Sequence, residues 1–469
     1  MIEFHPLIFK SMKKLIVLFI TACFLNSVSA KTPLVNVKSI LKNIVAPTFP
    51  GRTVSVMDFG AQNNGVVDAR AAINKAITAC SNAGGGLVLV PAGKFYVAGS
   101  IVLKSDVNLN IAEGAEIIFS SKPQDYTPFV LTVWEGTELF NYSPLVYAYH
   151  VSNVAITGNG TLNGCATGSF ATWRPQGSKM QSQLRQMGID QVPVYQRNFG
   201  LDSYLPPSMI EFFGCSNVLV EGIHIVDAPY WVIHPVFCNN VTVRAVNIFS
   251  NNLNNDGCDP EYSRNVLIEN NTFAVGDDAV AIKAGRDQDG WRIGQPTENI
   301  IIRDCIFNSQ CNGLCIGSEM AAGVQNVFME NVKIKNSLSA VYFKSNLDRG
   351  GFIQNVWIRN VECDSVRSAL IRFEPNYPGG RGGFHPTLFQ NFLIENVKGD
   401  RSSECGFYAM GIEKYPLKNI ALKNIQLRRC KTTYVMRNVE NVTFENVILG
   451  GVKLPLIPTE TTEVKLNSY

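Results

Sequence analysis

Asn265-Val-Leu-Ile-Glu-Asn270, Asn299-Ile-Ile-Ile-Arg-Asp304 and Asn326-Val-Phe-Met-Glu-Asn331 are three consecutive copies of one six-residue phrase. It reads asparagine, apolar, any, apolar, any, then often Asn, Asp or Gly. Earlier copies are Asn153-Val-Ala-Ile-Thr-Gly158, Asn217-Val-Leu-Val-Glu-Gly222 and Asn240-Val-Thr-Val-Arg-Ala245. Later ones are Asn355-Val-Trp-Ile-Arg-Asn360, Asn391-Phe-Leu-Ile-Glu-Asn396, Asn419-Ile-Ala-Leu-Lys-Asn424 and Asn441-Val-Thr-Phe-Glu-Asn446. From Asn217 onward successive copies start 22 to 36 residues apart. Alternation within each copy gives a strand with one face turned inward. One short strand per coil, repeated about this often, predicts an all-β fold: a single right-handed parallel β-helix, each coil stacked on the last. The leading asparagine belongs at a bend, where its side chain bonds neighbouring backbone and left-handed conformations are tolerated. The spacing of leucine-rich repeats is absent, and a β-sandwich would not repeat a phrase so faithfully.

Two segments depart from the rhythm. Between Asp68 and Cys80, apolar residues at Ala72, Ile73, Ala76, Ile77 and Cys80 follow a helical period, with Asp68 as the expected N-cap. A helix there would close the open end of the solenoid core. Residues from about Ala166 to Pro207 lack the phrase and are rich in Gln, Arg, Met and Pro. They are expected to form an insertion beside the repeat face, where binding loops are often carried.

Bulk properties narrow the class. Of 469 residues, 46% are hydrophobic and 17% charged, which excludes wholesale disorder. A net charge of +3 gives no support for a nucleic-acid surface and leaves room for a local basic patch facing an anionic substrate. The N-terminus reads as a secretory leader over residues 1–30: Met12 as the start, Lys13 and Lys14, an apolar run from Leu15 to Leu25, then Val28-Ser29-Ala30 for cleavage. That run is too short to span a bilayer. Ile20-Thr21-Ala22-Cys23 also loosely resembles a lipoprotein box, which would lipidate Cys23; both versions export the chain, to the periplasm or beyond. Residues 31–469 then form the one β-helix domain. The eleven cysteines left after the leader are odd in number, and several, such as Cys215 and Cys238, sit in apolar runs as packing residues. Cys305, Cys311 and Cys315 have no histidine nearby, and no metal site is assigned to them.

The densest polar chemistry is at Asn254-Asn255-Asp256-Gly257 and Gly276-Asp277-Asp278. Asp256 and Asp278 are 22 residues apart, about one coil, so they should lie on adjacent rungs roughly 4.8 Å apart. Carboxylates packed this tightly repel, and at least one pKa should rise. An acid of raised pKa beside ionised partners suits glycoside hydrolysis, where one group protonates the leaving oxygen and another activates water. Clustered carboxylates can also hold Ca2+, or simply form a solvated corner. Further candidates on the same face are Cys311, Asn312 and Lys344 on later coils, with Arg349, Lys283 and Arg286 as cations able to hold a sugar carboxylate.

These motifs resemble glycoside hydrolase family 28, the polygalacturonases. The likeness runs from Asp58-Phe59-Gly60-Ala61 to about Gly450, and is most specific at Asn254–Gly257, Gly276–Asp278, Ile316-Gly317-Ser318-Glu319 and Lys344 with Arg349-Gly350-Gly351. It implies that Asp277 is the general acid, that Asp256 and Asp278 jointly activate water, and that hydrolysis inverts the anomeric carbon. It implies that Lys344 matches the lysine of the family's Arg-Ile-Lys motif, with Asn254 also at the substrate, and that no cofactor is needed. Trp231 to Pro235 and Gly285–Gly290 are similar to bacterial members acting from a chain end. The family's Gly-His-Gly histidine is replaced by Cys311 or Asn312, depending on register, and its Arg-Ile-Lys arginine by Tyr342. Leu205-Pro206-Pro207 stands where exo-acting relatives often carry an arginine. The resemblance thus implies an exo-acting hydrolase of galacturonosyl linkages whose partner is a pectic polysaccharide or oligosaccharide. The alternatives are hydrolysis of another pectic linkage, as in rhamnogalacturonan, a Ca2+-dependent β-helix lyase, and a non-catalytic pectin-binding protein. Oligomeric state leaves no signal in the sequence.

Overall fold

Each copy of the phrase forms a strand, and the strands stack parallel and in register. The computed structural model describes residues 37–461; the expected leader, with Met12, Cys23 and Ala30, lies outside them. Val266 pairs with Ile300, and the file continues through Val327, Val356, Phe392, Ile420 and Val442. Two residues on, Ile268, Ile302, Met329, Ile358, Ile394, Leu422 and Phe444 form a second file. These are the apolar positions of the phrase, all buried in one apolar core that runs from Val56 to Leu454. The architecture is a right-handed parallel β-helix, with the hand that parallel crossovers adopt.

The leading asparagines sit at a corner in the left-handed region, with φ between 52° and 64° from Asn153 to Asn441. Their amides bond from coil to coil: Asn299 donates to Asn265 at 3.2 Å, Asn326 to Asn299 at 3.1 Å, Asn355 to Asn326 at 3.3 Å and Asn391 to Asn355 at 3.0 Å. The closing residue of the phrase builds a second ladder, from Asn331 on Asp304 at 3.0 Å to Asn446 on Asn424 at 2.9 Å. Asparagine suits both corners because it enters this region cheaply and its amide both donates and accepts.

A third stack carries the site. It runs through Ile210–Phe213 and Ile233–Val236, crosses bridges at Cys258 and Glu261, and continues through Val280–Ile282, Asn312–Ile316, Ser339–Lys344, Ala369–Glu374 and Cys405–Met410. Tyr342 lies over Cys315, Arg372 over Tyr342 and Tyr408 over Arg372.

Both ends of the solenoid are covered. The helix Arg70–Asn82 buries the five residues its period selected: Ala72, Ile73, Ala76, Ile77 and Cys80. Its N-cap residue is Ala69 rather than Asp68, yet the Asp68 carboxylate accepts from the Arg70 amide at 2.9 Å and from Ala98 at 2.9 Å. At the other end, Val452–Lys453 pairs back antiparallel on Val439–Leu449, and Leu454 is buried under it. The eleven cysteines of the described residues are free, and eight are buried. No helix among the described residues is long and apolar enough to cross a membrane.

Two excursions rise beside the third stack. One is the expected insertion, in which the chain leaves the coils between Asn163 and Ile210 and forms the helix Arg174–Ile189. The other was not foreseen: an antiparallel hairpin, Val130–Trp134 with Thr137–Asn141. They pack together through Trp134, Leu139, Leu184, Phe199 and Leu205.

Candidate active site

The third stack and the two excursions enclose a cleft of about 650 Å3. Asp256, Asp277 and Asp278 lie at its floor. Cys258 bridges Val280, so Asp256 and Asp278, each two residues earlier, occupy neighbouring rungs as the 22-residue spacing required. The backbone agrees: Gly257 donates to the Asp278 carbonyl at 2.9 Å and Asp277 to that of Asn255 at 3.2 Å.

The neighbours of the three acids differ. Asp278 is held by donors: the Asn312 amide nitrogen at 2.9 Å, the Asn312 side chain at 2.5 Å and Lys344 Nζ at 3.4 Å. Asp277 accepts from the Asp278 amide at 3.0 Å and from Asn254 Nδ2 at 3.5 Å, and among the described residues it forms no ion pair. Burial pushes the Asp277 carboxyl up and the charge of Asp278 adds to the rise, against the pull of Lys344. Asp256 is raised well above the usual range by burial and then by Asp259 and Asp277, although Lys283 lies 3.8 Å from it.

One end of the cleft is walled. Glu135, at the hairpin tip, bonds Arg286 at 2.9 Å and Gln181 of the insertion helix at 2.5 Å, while Arg174 of that helix bonds Asn254. Beneath the wall, Glu319 meets Lys283 at 3.2 Å and Arg286 at 2.8 Å. Burial opposes its ionisation, but Lys283, Arg286 and Arg349 together hold its carboxyl well below the ordinary value. Lys283 also lies over the Trp231 ring, 4.8 Å from its centroid.

Of the residues singled out in the sequence, Asn254, Asp256, Asp277, Asp278, Lys283, Arg286, Cys311, Asn312, Tyr342 and Lys344 all line the cleft. Arg349 does not. It is 2% exposed, donates from Nε to the Ser318 carbonyl at 2.7 Å and pairs with Asp287, so it braces Glu319 from below. Cys311 and Asn312 take different positions: Asn312 clamps Asp278, while Cys311 lines the cleft beside Asp277. Sequence reasoning missed Glu135, Glu319 as a lining group, and the group Arg372, Glu374, Tyr377, Glu404 and Tyr408 further along the cleft, as well as Asp259, fully buried against Asp256. The Ile316–Glu319 motif could have flagged Glu319. The others carry no local signal, since each looks like an outward residue of an ordinary strand or loop.

Asp277, Asp278 and Cys311 offer one ligand atom each within 4.8 Å of one another, the only such cluster among the described residues. Lys344 Nζ lies 3.4 Å from Asp278 beside this cluster.

The model for glycosyl hydrolases family 28 matches residues 80–447. A probable polygalacturonase of Vitis vinifera is 26% identical over 429 residues, covering 87% of this chain and 79% of that one. The exo-poly-alpha-D-galacturonosidase of Dickeya chrysanthemi is 26% identical over 377 residues, 74% of this chain and 62% of that one. The crystal structure of a hyperthermoactive exopolygalacturonase from Thermotoga maritima superposes with a TM-score of 0.86 at 37% identity, covering 89% of this chain and 96% of that one.

Proposed function

The chain belongs to glycosyl hydrolases family 28, and on that premise we propose that it hydrolyses α-galacturonosyl linkages in pectin, one unit at a time from a chain end. Asp277 is the general acid: burial and Asp278 favour its protonated form, and its open side faces the cleft. Asp278, whose contacts are all donors, accepts the proton of the attacking water, and Asp256, which burial keeps protonated, lies on the neighbouring rung to orient that water. Attack from the face opposite the leaving oxygen inverts the anomeric carbon. Lys283 and Arg286 hold the carboxylate of the terminal sugar acid, and Lys344 keeps Asp278 in place from the far side. Asn254 spans Asp277 and the insertion helix, so substrate entering beside it meets the acid and the wall together. The wall at Glu135, Arg174 and Gln181 favours action from a chain end, because a polymer cannot run past it. The leader supports export to the periplasm or the medium.

The observation that carries this reading is the asymmetry between adjacent acids, Asp278 clamped by three donors and Asp277 without an ion pair. Replacing Asp277 by Asn should lower turnover of a pectic oligosaccharide about a thousandfold while leaving its dissociation constant within a few-fold by calorimetry. The same variant should lose far less on an aryl α-galacturonide, whose phenol leaves without a proton. Equal losses on both substrates, or none, would remove Asp277 from the acid role, and unsaturated products absorbing in the ultraviolet would make the protein a lyase.

A further inference from the structure

The cleft changes character on either side of the three acids. The walled half holds Arg174, Lys283 and Arg286 against Glu135 and Glu319. The open half, one and two coils beyond Lys344, holds Arg372 against Glu374 and Glu404, with Lys344 at its inner edge over the Tyr377 ring. The guanidinium of Arg372 is partly engaged. Nη1 donates to Ser368 Oγ at 2.8 Å, Nη2 meets Glu374 at 3.0 Å, and the buried Nε points at nothing. Its faces are covered by the rings of Tyr342 and Tyr408, 5.1 and 4.9 Å from the centroids. Ser368 passes its own proton on to Glu404 at 3.1 Å, and Tyr342 donates to Glu374.

A sugar acid in this half would bring its carboxylate toward two carboxylates and one arginine, whereas the walled half sets three cations against two carboxylates. Like charges at such range cost binding, and the single arginine does not outweigh the two carboxylates. An uncharged sugar meets the same groups favourably: carboxylates accept from neighbouring hydroxyls, and half-exposed Tyr377 and Tyr408 line the cleft beside them. Coils spaced roughly 4.8 Å apart present about one sugar unit to each.

We infer that the leaving side of the cleft takes a neutral sugar, so that the bond cut joins a terminal galacturonosyl unit to an uncharged residue rather than to a second galacturonate, with Glu374 and Glu404 as the residues that set this choice. The inference rests on the hydrolase reading above. Water adds across the bond between the anomeric carbon and the bridging oxygen. Galacturonic acid leaves with the water hydroxyl, and the neutral sugar keeps the oxygen and takes the proton from Asp277.

The test offers the whole enzyme three probes: digalacturonate, galacturonate linked to rhamnose, and an aryl α-galacturonide. We expect kcat/KM on the galacturonate–rhamnose probe to exceed that on digalacturonate by at least about tenfold. Glu404→Gln, which keeps an acceptor for Ser368, and Glu374→Gln should each narrow that ratio several-fold by raising the rate on digalacturonate. Digalacturonate cut as fast as the mixed probe, or a ratio unmoved by both substitutions, overturns the inference while the hydrolase reading stands. Failure of all three probes, the aryl one included, overturns the hydrolase reading and this inference with it.

Discussion

Asp259 has no exposed surface, and neither of its carboxylate oxygens receives a hydrogen bond. It lies against Asp256, with Lys283 and His234 as the nearest positive charges. Burial lifts its pKa from 3.8 to about 7, even though Lys283 and His234 pull it down. His234 is itself held charged, for burial would lower it but Glu211 and Glu261 raise it to about 9. Because the folded pKa of Asp259 lies above its unfolded value, folding favours the protonated acid. That contribution is complete below about pH 4 and is lost as the pH climbs to about 7. Ionising Asp259 against Asp256 should cost on the order of a few kcal/mol. Asp259→Asn keeps a donor toward Asp256 and cannot ionise. Its advantage in melting temperature over the wild type should be smallest near pH 4 and grow to its full size by pH 8. A difference that is the same at both pH values would show that Asp259 does not carry the proton.

At the scale of the strand and its corner, the asparagine ladder makes two separable contributions. Asn355 sits at φ 56° and its amide both donates to Asn326 and accepts from Asn391. Asn355→Ala loses both bonds and forces alanine into the left-handed region, a cost of about 2–4 kcal/mol. Asn355→Gly loses the bonds but takes that φ freely, so it should cost roughly half as much. Chemical denaturation of the two variants measures the split; equal losses would mean that the ladder, not the backbone conformation, selects asparagine. This logic also explains what could be read beforehand. The phrase was legible because inward positions alternate, a corner selects asparagine, and the same geometry recurs in every coil. The capping helix was legible because its five buried residues follow one period. Arg372 and Glu374 were not, since in Ala369–Glu374 they alternate with core residues as any outward pair would. Only the register that sets Arg372 over Tyr342 and beneath Tyr408 gives them a setting. Arg349 misled for the converse reason: its nearness in sequence to Lys344 suggested the cleft, but the turn between them sends it under Glu319.

The solenoid by itself offers an open trough, since stacked coils leave a parallel face exposed from end to end. What makes this trough a pocket is chain that does not belong to the repeat. The hairpin at Val130–Asn141 and the helix Arg174–Ile189 come from different coils and meet over the same end of the acid cluster. Arg197 fixes their base, completely buried and paired with Asp289 through both terminal nitrogens, at 2.8 and 2.9 Å. Arg185 of the same helix ties Asp287 at 2.7 Å and Asp348 at 2.8 Å, joining the wall to the coils on the far side of Glu319. A wall anchored by buried charge pairs at several points does not open cheaply, because breaking any one leaves an unpaired charge in a dry interior. Substrate therefore enters from the open half, and the depth of the walled half sets how much of the chain end is removed per turnover. On a pectic polymer that the enzyme cuts, a monosaccharide should dominate the products from the earliest time points, and viscosity should stay near its starting value while reducing ends accumulate. An early collapse in viscosity with a spread of longer oligosaccharides would mean that the polymer threads past Glu135, and that the hairpin and helix do not close the cleft in solution.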